Sequence, residues 1–341
     1  MINSLNNFAK TTASSEISGV LDDALRSLRI RGSVLLRETY AAPWAIAIPD
    51  ALALARLLDV PRDTRVVAFH LVEFGHCEIH PEGGDRTLLT AGEMALCVGG
   101  VGHRIAAGRG AKAQEIAGLL EGKPNIQRPD ASGRPASTSL LCGAFLLRQS
   151  DLNPLFAALP TMMVSNLSRT GELHNLSGVA RLLAEEIDRS HSGNGYVAER
   201  LLEVLCAETL RAHAETGSRQ DVGWFRALRD PVVGKAIAAI HARPGEDWSV
   251  ARLAQAVAMS PSRFAARFSE CLGDSPMAYV ARWRMSLACR RLASTRVGID
   301  RVAGDLGYES AAAFNRAFKK LVGMPPAAWR SRATSSANGI E

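Results

Sequence analysis

Histidine and cysteine side chains in the first half of the chain carry groups that can bind a metal ion or react with an oxidant. The candidates, together with one aromatic residue, are Trp44, His70, Cys97, His103 and Cys142. Imidazole nitrogen and thiolate sulfur are ligands that zinc and copper accept, so His70, His103 and Cys142 are candidates for a metal site. An imidazole close to a thiol also favours the thiolate, which is the form that oxidants attack.

Two other interpretations of these residues stay open. His70 or His103 can bind an organic effector, with Trp44 as a wall of the site. Alternatively, the histidines are hydrogen-bonded strand residues and the cysteines are small core side chains. None of the six cysteines has CxxC spacing, so neither a zinc knuckle nor a disulfide framework is predicted, and no cofactor is expected.

A second group of side chains lies in the last third of the chain, on two segments predicted to be helices. The first segment offers Ser262, Arg263, Ala265, Ala266 and Arg267, and the second offers Ala311, Ala312, Asn315, Arg316 and Lys319. Arginine can pair bidentately with guanine and asparagine with adenine, whereas alanine only touches a thymine methyl group. Because Ala266 aligns with Arg316, the second segment is better equipped to recognise bases.

A short pattern that occurs twice positions these two segments. Phe264 aligns with Phe314, and Phe268 aligns with Phe318, once one extra residue is allowed in the second turn. Each copy predicts a short amphipathic helix, a tight turn and a second amphipathic helix, which is the outline of a helix-turn-helix.

A long helix is predicted between the two copies, from Pro276 to about Thr295. At 1.5 Å per residue it is about 30 Å long, close to the roughly 34 Å of one turn of B-DNA. The two copies could therefore occupy successive major grooves without a partner chain. Arginines on this helix are expected to hold phosphates or pair with acids.

Charge is distributed unevenly along the 341 residues. Residues 230–333 contain sixteen Lys and Arg against eight Asp and Glu, and because the whole chain carries +6, the remainder is near −2. A basic third on a nearly neutral body predicts binding to nucleic-acid phosphates.

The sequence has no run of about 18 apolar residues and its N-terminus has no signal-peptide layout, so a cytoplasmic protein with no membrane contact is expected.

The predicted fold class is α+β. Short strands separated by Gly and Pro up to about residue 147 predict a β-barrel or sandwich. Two amphipathic helices, Leu176–Arg189 and Val197–His213, are expected to pack on the barrel or to form a homodimer contact. The predicted domains are a sensor and dimerisation region at 15–216, a linker at 217–229 and an all-α DNA-binding domain at 230–333.

A longer set of residues spans both copies of the repeated pattern. Its members are Leu253, Ala254, Met259, Ser260, Phe264, Phe268, Gly273, Pro276 and Tyr279, followed by Ala303, Gly307, Tyr308, Phe314, Phe318, Lys319, Gly323, Pro325, Pro326, Trp329 and Arg330. This set resembles the DNA-binding domain of the AraC/XylS transcription regulators. The resemblance implies two helix-turn-helix units in one chain and activation of transcription by contact with RNA polymerase. The chain departs from the family at Ala266, where arginine is frequent.

Three motifs in the N-terminal half carry a second resemblance. They are Phe69–Val72, Gly92–His103 and Leu141–Phe145, and they are similar to the cupin-like sensor of one AraC subgroup. Val98 stands where the second cupin motif usually has proline, and the paired HxH and glutamate of the first motif are missing.

Together these features predict a sequence-specific DNA-binding activator, controlled by an effector or redox signal at the N-terminal domain. Double-stranded DNA and RNA polymerase are the expected partners, and no enzymatic activity is expected. The alternative is a metal-dependent cupin enzyme tethered to a DNA-binding module, which the missing cupin motif disfavours. A third hypothesis is an architectural protein that binds DNA without sequence preference.

Overall fold

The computed structural model describes residues 19–61, 64–122, 135–148, 152–167, 174–188, 194–216 and 223–338. The chain divides into two compact units. The sheet unit comprises residues 29–148 and 159–216, and the helical unit comprises the residues before 29, residues 149–158 and the residues from 217 onward. The chain therefore passes between the units four times.

The described residues of the sheet unit contain nine strands. They are β1 (Arg29–Tyr40), β2 (Trp44–Ile48), β3 (Thr64–Pro81), β4 (Thr87–Thr90), β5 (Glu93–Cys97), β6 (His103–Ala107), β7 (Gln114–Glu115), β8 (Thr138–Arg148) and β9 (Met163–Asn166). The main order of pairing is β1-β8-β3-β6-β2-β7. Strands β4 and β5 also pair with β3, and β9 pairs with β5.

Strand β3 makes the sheet curl. Its first half pairs with β8 and β5, and its second half pairs with β4 and β6. An 18-residue strand that exchanges neighbours midway must bend and twist, and a register shift between Val72 and Phe74 lies at the exchange. The result is a curled, cupin-like half-barrel.

Alternate residues of the strands face the interior of this half-barrel. Ala68 and Val72 of β3 and Leu140 and Cys142 of β8 are buried in one apolar cluster with side chains from the other strands. His70 lies between Ala68 and Val72 at the same spacing of two, so its side chain faces the same interior.

Fourteen helices lie in the described part of the chain. They are α1 (19–26), α2 (Ala51–Leu57), α3 (Ile116–Leu120), α4 (Pro154–Ala158), α5 (His174–Asp188), α6 (Asn194–Thr216), α7 (Trp224–Arg229), α8 (Val233–Ala242), α9 (Val250–Ala256), α10 (Pro261–Leu272), α11 (Pro276–Ser294), α12 (Ile299–Asp305), α13 (Ala311–Val322) and α14 (Pro326–Asn338). Within this described part, no helix combines the length and apolar character needed to cross a membrane.

Helices α5 and α6 pack against each other, and α6 packs on β1. The close approach depends on Gly32 of β1, because a Cβ atom there would lie 2.2 Å from Leu202 Cβ. Leu202 and Leu205 are buried, whereas Leu182, Tyr196 and others on these two helices remain exposed.

The helical unit is built around an apolar core with a polar centre. The hydroxyl of Tyr279 of α11 accepts a hydrogen bond from Trp224 Nε1 of α7 and forms another with His241 Nε2 of α8, each at 2.9 Å. The His241 ring stacks on Trp283 with centroids 3.8 Å apart. Helix α1 joins the same unit, since its Ala24 carbonyl accepts a hydrogen bond from Asn153.

The structure differs from the sequence-based prediction in three respects. Strand β3 runs without a break for 18 residues, where short strands separated by Gly and Pro were predicted. Helix α7 lies within the predicted linker 217–229, but it is buried against α8 and α10. Residues 19–28 and 152–158 belong to the helical unit, whereas the predicted sensor region 15–216 is continuous in sequence. Residues 217–222 lie outside the described residues.

Candidate functional site

The two helix-turn-helix units are α9–α10 and α12–α13. Both second helices begin after a serine, and Ser310 Oγ accepts a hydrogen bond from Ala313 N at 3.2 Å. Both end at a left-handed glycine, Gly273 with φ of 71° and Gly323 with φ of 85°. Glycine therefore ends both helices, and Ser310 caps the start of α13, whereas Ser260 makes no side-chain capping hydrogen bond at the start of α10.

Each of these helices buries one aromatic stripe. Phe264 and Phe268 of α10 are fully buried, as are Phe314 and Phe318 of α13. Each pair contacts ring to ring, with centroids 5.6 Å apart. Because residues four apart share a helix face, the opposite faces are turned outward.

The predicted DNA-contacting residues lie on those outward faces. Ser262, Arg263, Ala266, Ala312, Asn315, Arg316 and Lys319 are exposed, and Ala265, Arg267 and Ala311 are half-buried. Lys320 is also exposed on α13, next to Lys319, and was not among the predicted residues. Across the described ranges, no side chain forms a hydrogen bond or ion pair with Arg263, Arg316 or Lys319.

Arg267 differs from these arginines because it has an internal partner. Its Nε lies 3.1 Å and 3.0 Å from the two carboxylate oxygens of Asp230, and its Nη2 lies 2.8 Å from Oδ2. Asp230 Oδ1 also accepts from the backbone N–H groups of Val232 and Val233 at the start of α8. Burial opposes ionisation of Asp230, but Arg267 and these N–H groups lower its pKa below the ordinary value. Arg267 therefore ties α10 to α8.

The arginines of the connecting helix α11 are engaged within the helical unit. Arg282 pairs with Asp274, and Arg291 pairs with Asp305 at 2.9 Å. Arg284 donates to the carbonyl oxygens of Pro244 at 2.8 Å and Glu246 at 2.7 Å. With 19 residues, α11 spans about 28 Å at 1.5 Å per residue.

The interior of the half-barrel brings together the other predicted candidates. His70 Nε2 lies 2.7 Å from His103 Nε2, and Cys97 Sγ lies 3.6 Å from the same nitrogen. Cys142 Sγ contacts the other side of His70, 3.1 Å from Nδ1, because residues 70 and 142 are paired across β3 and β8. We call His70, Cys97, His103 and Cys142 the interior cluster.

Burial determines the charge state of the interior cluster. Burial, reinforced by the neighbouring His103, lowers the pKa of His70 well below its ordinary value, and burial also lowers the pKa of His103. Burial raises the pKa of Cys97 to about 12 and raises that of Cys142 further. All four groups are therefore neutral near pH 7, which does not favour a standing thiolate at either cysteine.

Trp44 lies in the same apolar cluster but is fully buried. Its ring packs on Tyr40 with centroids 5.0 Å apart. Among the described residues, its indole N–H has no hydrogen-bond partner.

Paired helix-turn-helix units, whose outward faces carry cations without a partner among the described residues, are typical of a DNA-binding protein. The other unit is a half-barrel with a polar interior cluster. A sequence profile described as "Cupin" matches residues 19–215, and one described as "Helix-turn-helix domain" matches residues 253–332. The chain thus belongs to this cupin family and is a DNA-binding transcription regulator of the AraC type.

Proteins that are similar to this chain are named as transcription regulators. An AraC-like transcription regulator from Streptomyces lividans is 28% identical over 92% of this chain and 98% of its own length. The HTH-type transcriptional regulator AlkR of Acinetobacter baylyi is 32% identical over 53% of this chain and 59% of its own length. Among solved structures, the DNA-binding domain of AdpA in complex with a target DNA is 29% identical, covers 31% of this chain and 96% of its own chain, and has a TM-score of 0.30.

Proposed function

We propose that this chain recognises a specific DNA sequence chiefly through α13 and that the half-barrel controls this binding. The observation that carries the proposal is the contrast between the two outward helix faces. Helix α13 presents Asn315, Arg316 and Lys319, whereas at the position aligned with Arg316 helix α10 has Ala266. Arginine and asparagine distinguish guanine and adenine by paired hydrogen bonds, and alanine cannot.

The distribution of charge supports DNA as the partner. Acids of the helical unit are engaged with arginines that hold the fold, as in Asp230 with Arg267 and Asp305 with Arg291. The cations on the recognition faces are not neutralised in this way. Arg263, Arg316 and Lys319 are therefore available to contact a phosphate backbone or base edges.

The path of the chain supports control by the half-barrel. Strand β1 begins at Arg29, directly after a segment of the helical unit, and β8 ends at Arg148, directly before another. Arg29 and Arg148 are partners across the two strands. A change in the interior that moves this end of the strand pair would therefore be transmitted along the chain to two segments of the helical unit. An effector or a redox event at the interior cluster is the proposed signal.

We further propose that the protein is an activator that contacts RNA polymerase, that it acts in the cytoplasm and that it forms a homodimer through α5 and α6. The dimer is supported by apolar side chains exposed on those helices, among them Leu182 at 49% and Tyr196 at 68%. Exposed apolar side chains grouped on one pair of helices are typical of an interaction surface. The proposal assigns no catalytic role to the half-barrel.

The proposal is tested by selecting duplexes that the full-length chain retains from a random DNA library. We expect enrichment of a defined sequence. A reporter promoter that carries this sequence should then be activated by the wild-type chain. Recovery of unrelated sequences, with equal affinity and full salt dependence on all of them, would instead indicate an architectural protein.

Control by the half-barrel has a separate measurement. A substitution in the interior cluster, such as His103→Gln, should change activation of the reporter. As a control, the affinity of the purified full-length variant for the selected duplex is measured as well. An unchanged response to every signal that activates the wild type would remove the interior cluster from control.

The dimer is tested by light scattering of the wild type and of Leu182→Glu, which should shift the mass toward a monomer.

A further inference from the structure

Three ligand atoms converge inside the half-barrel. The donor atoms of His70, Cys97 and His103 all lie within 4.8 Å of one another. The exposed fraction of each of these residues is 5% or less, in surroundings built from apolar side chains. Solvent therefore does not compete for these donors, and they face one another.

The hydrogen bond made by Nδ1 of His103 directs the Nε2 atom of the same ring into the interior cluster. His103 Nδ1 lies 3.4 Å from the carbonyl oxygen of Val101. A carbonyl oxygen only accepts, so Nδ1 carries the proton and Nε2 keeps a free lone pair. Metal-binding histidines are typically fixed by such a bond from the second ring nitrogen to a carbonyl. His103 is thus oriented as a ligand.

Cys142 gives His70 the equivalent support. Its sulfur lies 3.1 Å from His70 Nδ1, on the side of the ring away from His103. When Nδ1 carries the ring proton, it donates to this sulfur, and the Nε2 lone pair faces the cluster. A change of tautomer is therefore all that His70 needs to act as a ligand.

We propose that His70, Cys97 and His103 bind a single Zn²⁺ ion and that Cys142 orients His70. Two imidazole nitrogens and one thiolate sulfur form a donor set that zinc prefers and that magnesium and calcium do not. Three protein ligands leave a fourth tetrahedral position for a water molecule or a small ligand.

The present geometry is close to that of such a site. With Zn–N of about 2.0–2.1 Å and Zn–S of about 2.3 Å, tetrahedral ligands lie roughly 3.3 Å apart for two nitrogens and roughly 3.5 Å apart for nitrogen and sulfur. The Cys97–His103 separation of 3.6 Å already matches, and the two imidazoles, now 2.7 Å apart, must separate by roughly 0.6 Å. The third pair, His70 and Cys97, lies within 4.8 Å and must reach the nitrogen–sulfur span. On binding, the Cys97 thiol loses its proton to solvent and the thiolate sulfur binds the ion.

The zinc site concerns the sheet unit alone and does not depend on whether that unit controls DNA binding. The test begins with the wild-type full-length chain, stripped with a chelator and incubated with Zn²⁺ under reducing conditions. We expect about one ion per chain after dialysis and a higher melting temperature than for the stripped chain. A wild type that keeps no zinc and shows no shift in melting temperature would overturn the proposal, with no variant needed.

Variants then identify the ligands. Cys97→Ser and His103→Gln should lose the bound ion, whereas Cys206→Ser, the same change at a buried cysteine of α6, should keep it. With Co²⁺ in place of Zn²⁺, the wild type should show a thiolate-to-cobalt absorption band that Cys97→Ser abolishes. Cys142→Ser should retain that band with weaker binding, as expected of a positioning residue. Loss of the band in Cys142→Ser together with its retention in Cys97→Ser would refute the proposed ligand set.

Discussion

Ala258 and Gly307 occupy equivalent positions in the turns of the two helix-turn-helix units, and both have a left-handed backbone, with φ of 55° and 76°. This conformation costs a residue with a Cβ atom about 1–2 kcal/mol, whereas glycine adopts it freely. The first turn therefore carries strain that the second avoids. The difference matters because each turn sets the angle at which a recognition helix leaves the core.

Gly307→Ala is expected to destabilise the helical unit. A Cβ atom at this position would lie 2.5 Å from Gly245 O and 2.8 Å from Arg284 Nη2. Strain and steric overlap together should lower the free energy of unfolding by at least about 2 kcal/mol. Urea denaturation of the full chain measures the change.

Two substitutions serve as controls for Gly307→Ala. Gly304→Ala lies in α12 with no atom within 4 Å of its added Cβ, and it should stabilise the helix by about 0.5–1 kcal/mol. Ala258→Gly should stay within about 1 kcal/mol of the wild type, because relief of strain offsets the greater entropy of the unfolded chain. Wild-type stability in Gly307→Ala would contradict the described turn.

Gly32→Ala is expected to loosen α6 from β1. The added Cβ would lie 2.2 Å from Leu202 Cβ, so either the helix or the strand must move. Overpacking of this kind costs about 1–3 kcal/mol, and loss of α6 protection should be visible by amide hydrogen exchange. Gly178→Ala in α5, where the added Cβ meets nothing within 4 Å, should show no such loss. Equal exchange rates in both variants would mean that the close approach at Gly32 is not structural.

The helix-turn-helix pair could be predicted from the sequence because its signals are local. Phe264 and Phe268, four residues apart, define the buried face of α10, and Ser260 and Gly273 mark its ends. Each of these signals lies within one helix and its caps. The partner of Arg267 could not be found in this way, since Asp230 lies 37 residues earlier and only tertiary packing brings it close.

The interior cluster depends on the pairing of strands that are distant in sequence. His70 and Cys142 were both candidates, but their contact follows from the register of β3 with β8, which no short motif specifies. The location of α1 in the helical unit has the same origin. Its bonds to Asn153 join segments more than a hundred residues apart, so the sequence boundary at 15–216 could not anticipate it.

His241 should make the stability of the chain depend on pH. Burial lowers its pKa to about 3, whereas the unfolded imidazole titrates near its ordinary value of 6.5. Between these pH values the unfolded chain binds a proton that the folded chain does not. Stability is therefore fully present above about pH 6.5 and is lost as the pH falls toward 3, by up to about 1.4 kcal/mol per pH unit. Asp23 Oδ2 lies 3.9 Å from Nδ1, but burial outweighs this contact and keeps the imidazole neutral.

His241→Gln separates this contribution from the other titrations. Glutamine keeps an acceptor for the Tyr279 hydroxyl and has no titration of its own. Urea unfolding at about pH 7 and about pH 5 should show a smaller loss of stability in the variant than in the wild type. His70 and His103 have the same sign of shift and remain in both chains, so they cancel in the comparison. An identical loss would mean that His241 is not buried in its neutral form.

Arg316 and Arg267 are expected to respond in opposite ways to substitution by alanine. Arg316 is exposed and unpaired within the described residues, so Arg316→Ala should weaken binding to the selected duplex by about 1–3 kcal/mol and change non-specific binding much less. Arg267 is bound to Asp230, so Arg267→Ala should lower the stability of the helical unit and leave the preference among DNA sequences intact.

The control for the loss of one positive charge is Lys235→Ala, because Lys235 is an exposed cation of α8 outside both helix-turn-helix units. Titrations on the selected and a scrambled duplex, with urea unfolding alongside, separate the two roles. An equal loss on both duplexes for Arg316→Ala would assign that residue to a phosphate, and the sequence preference would then have to come from Asn315 or from α10.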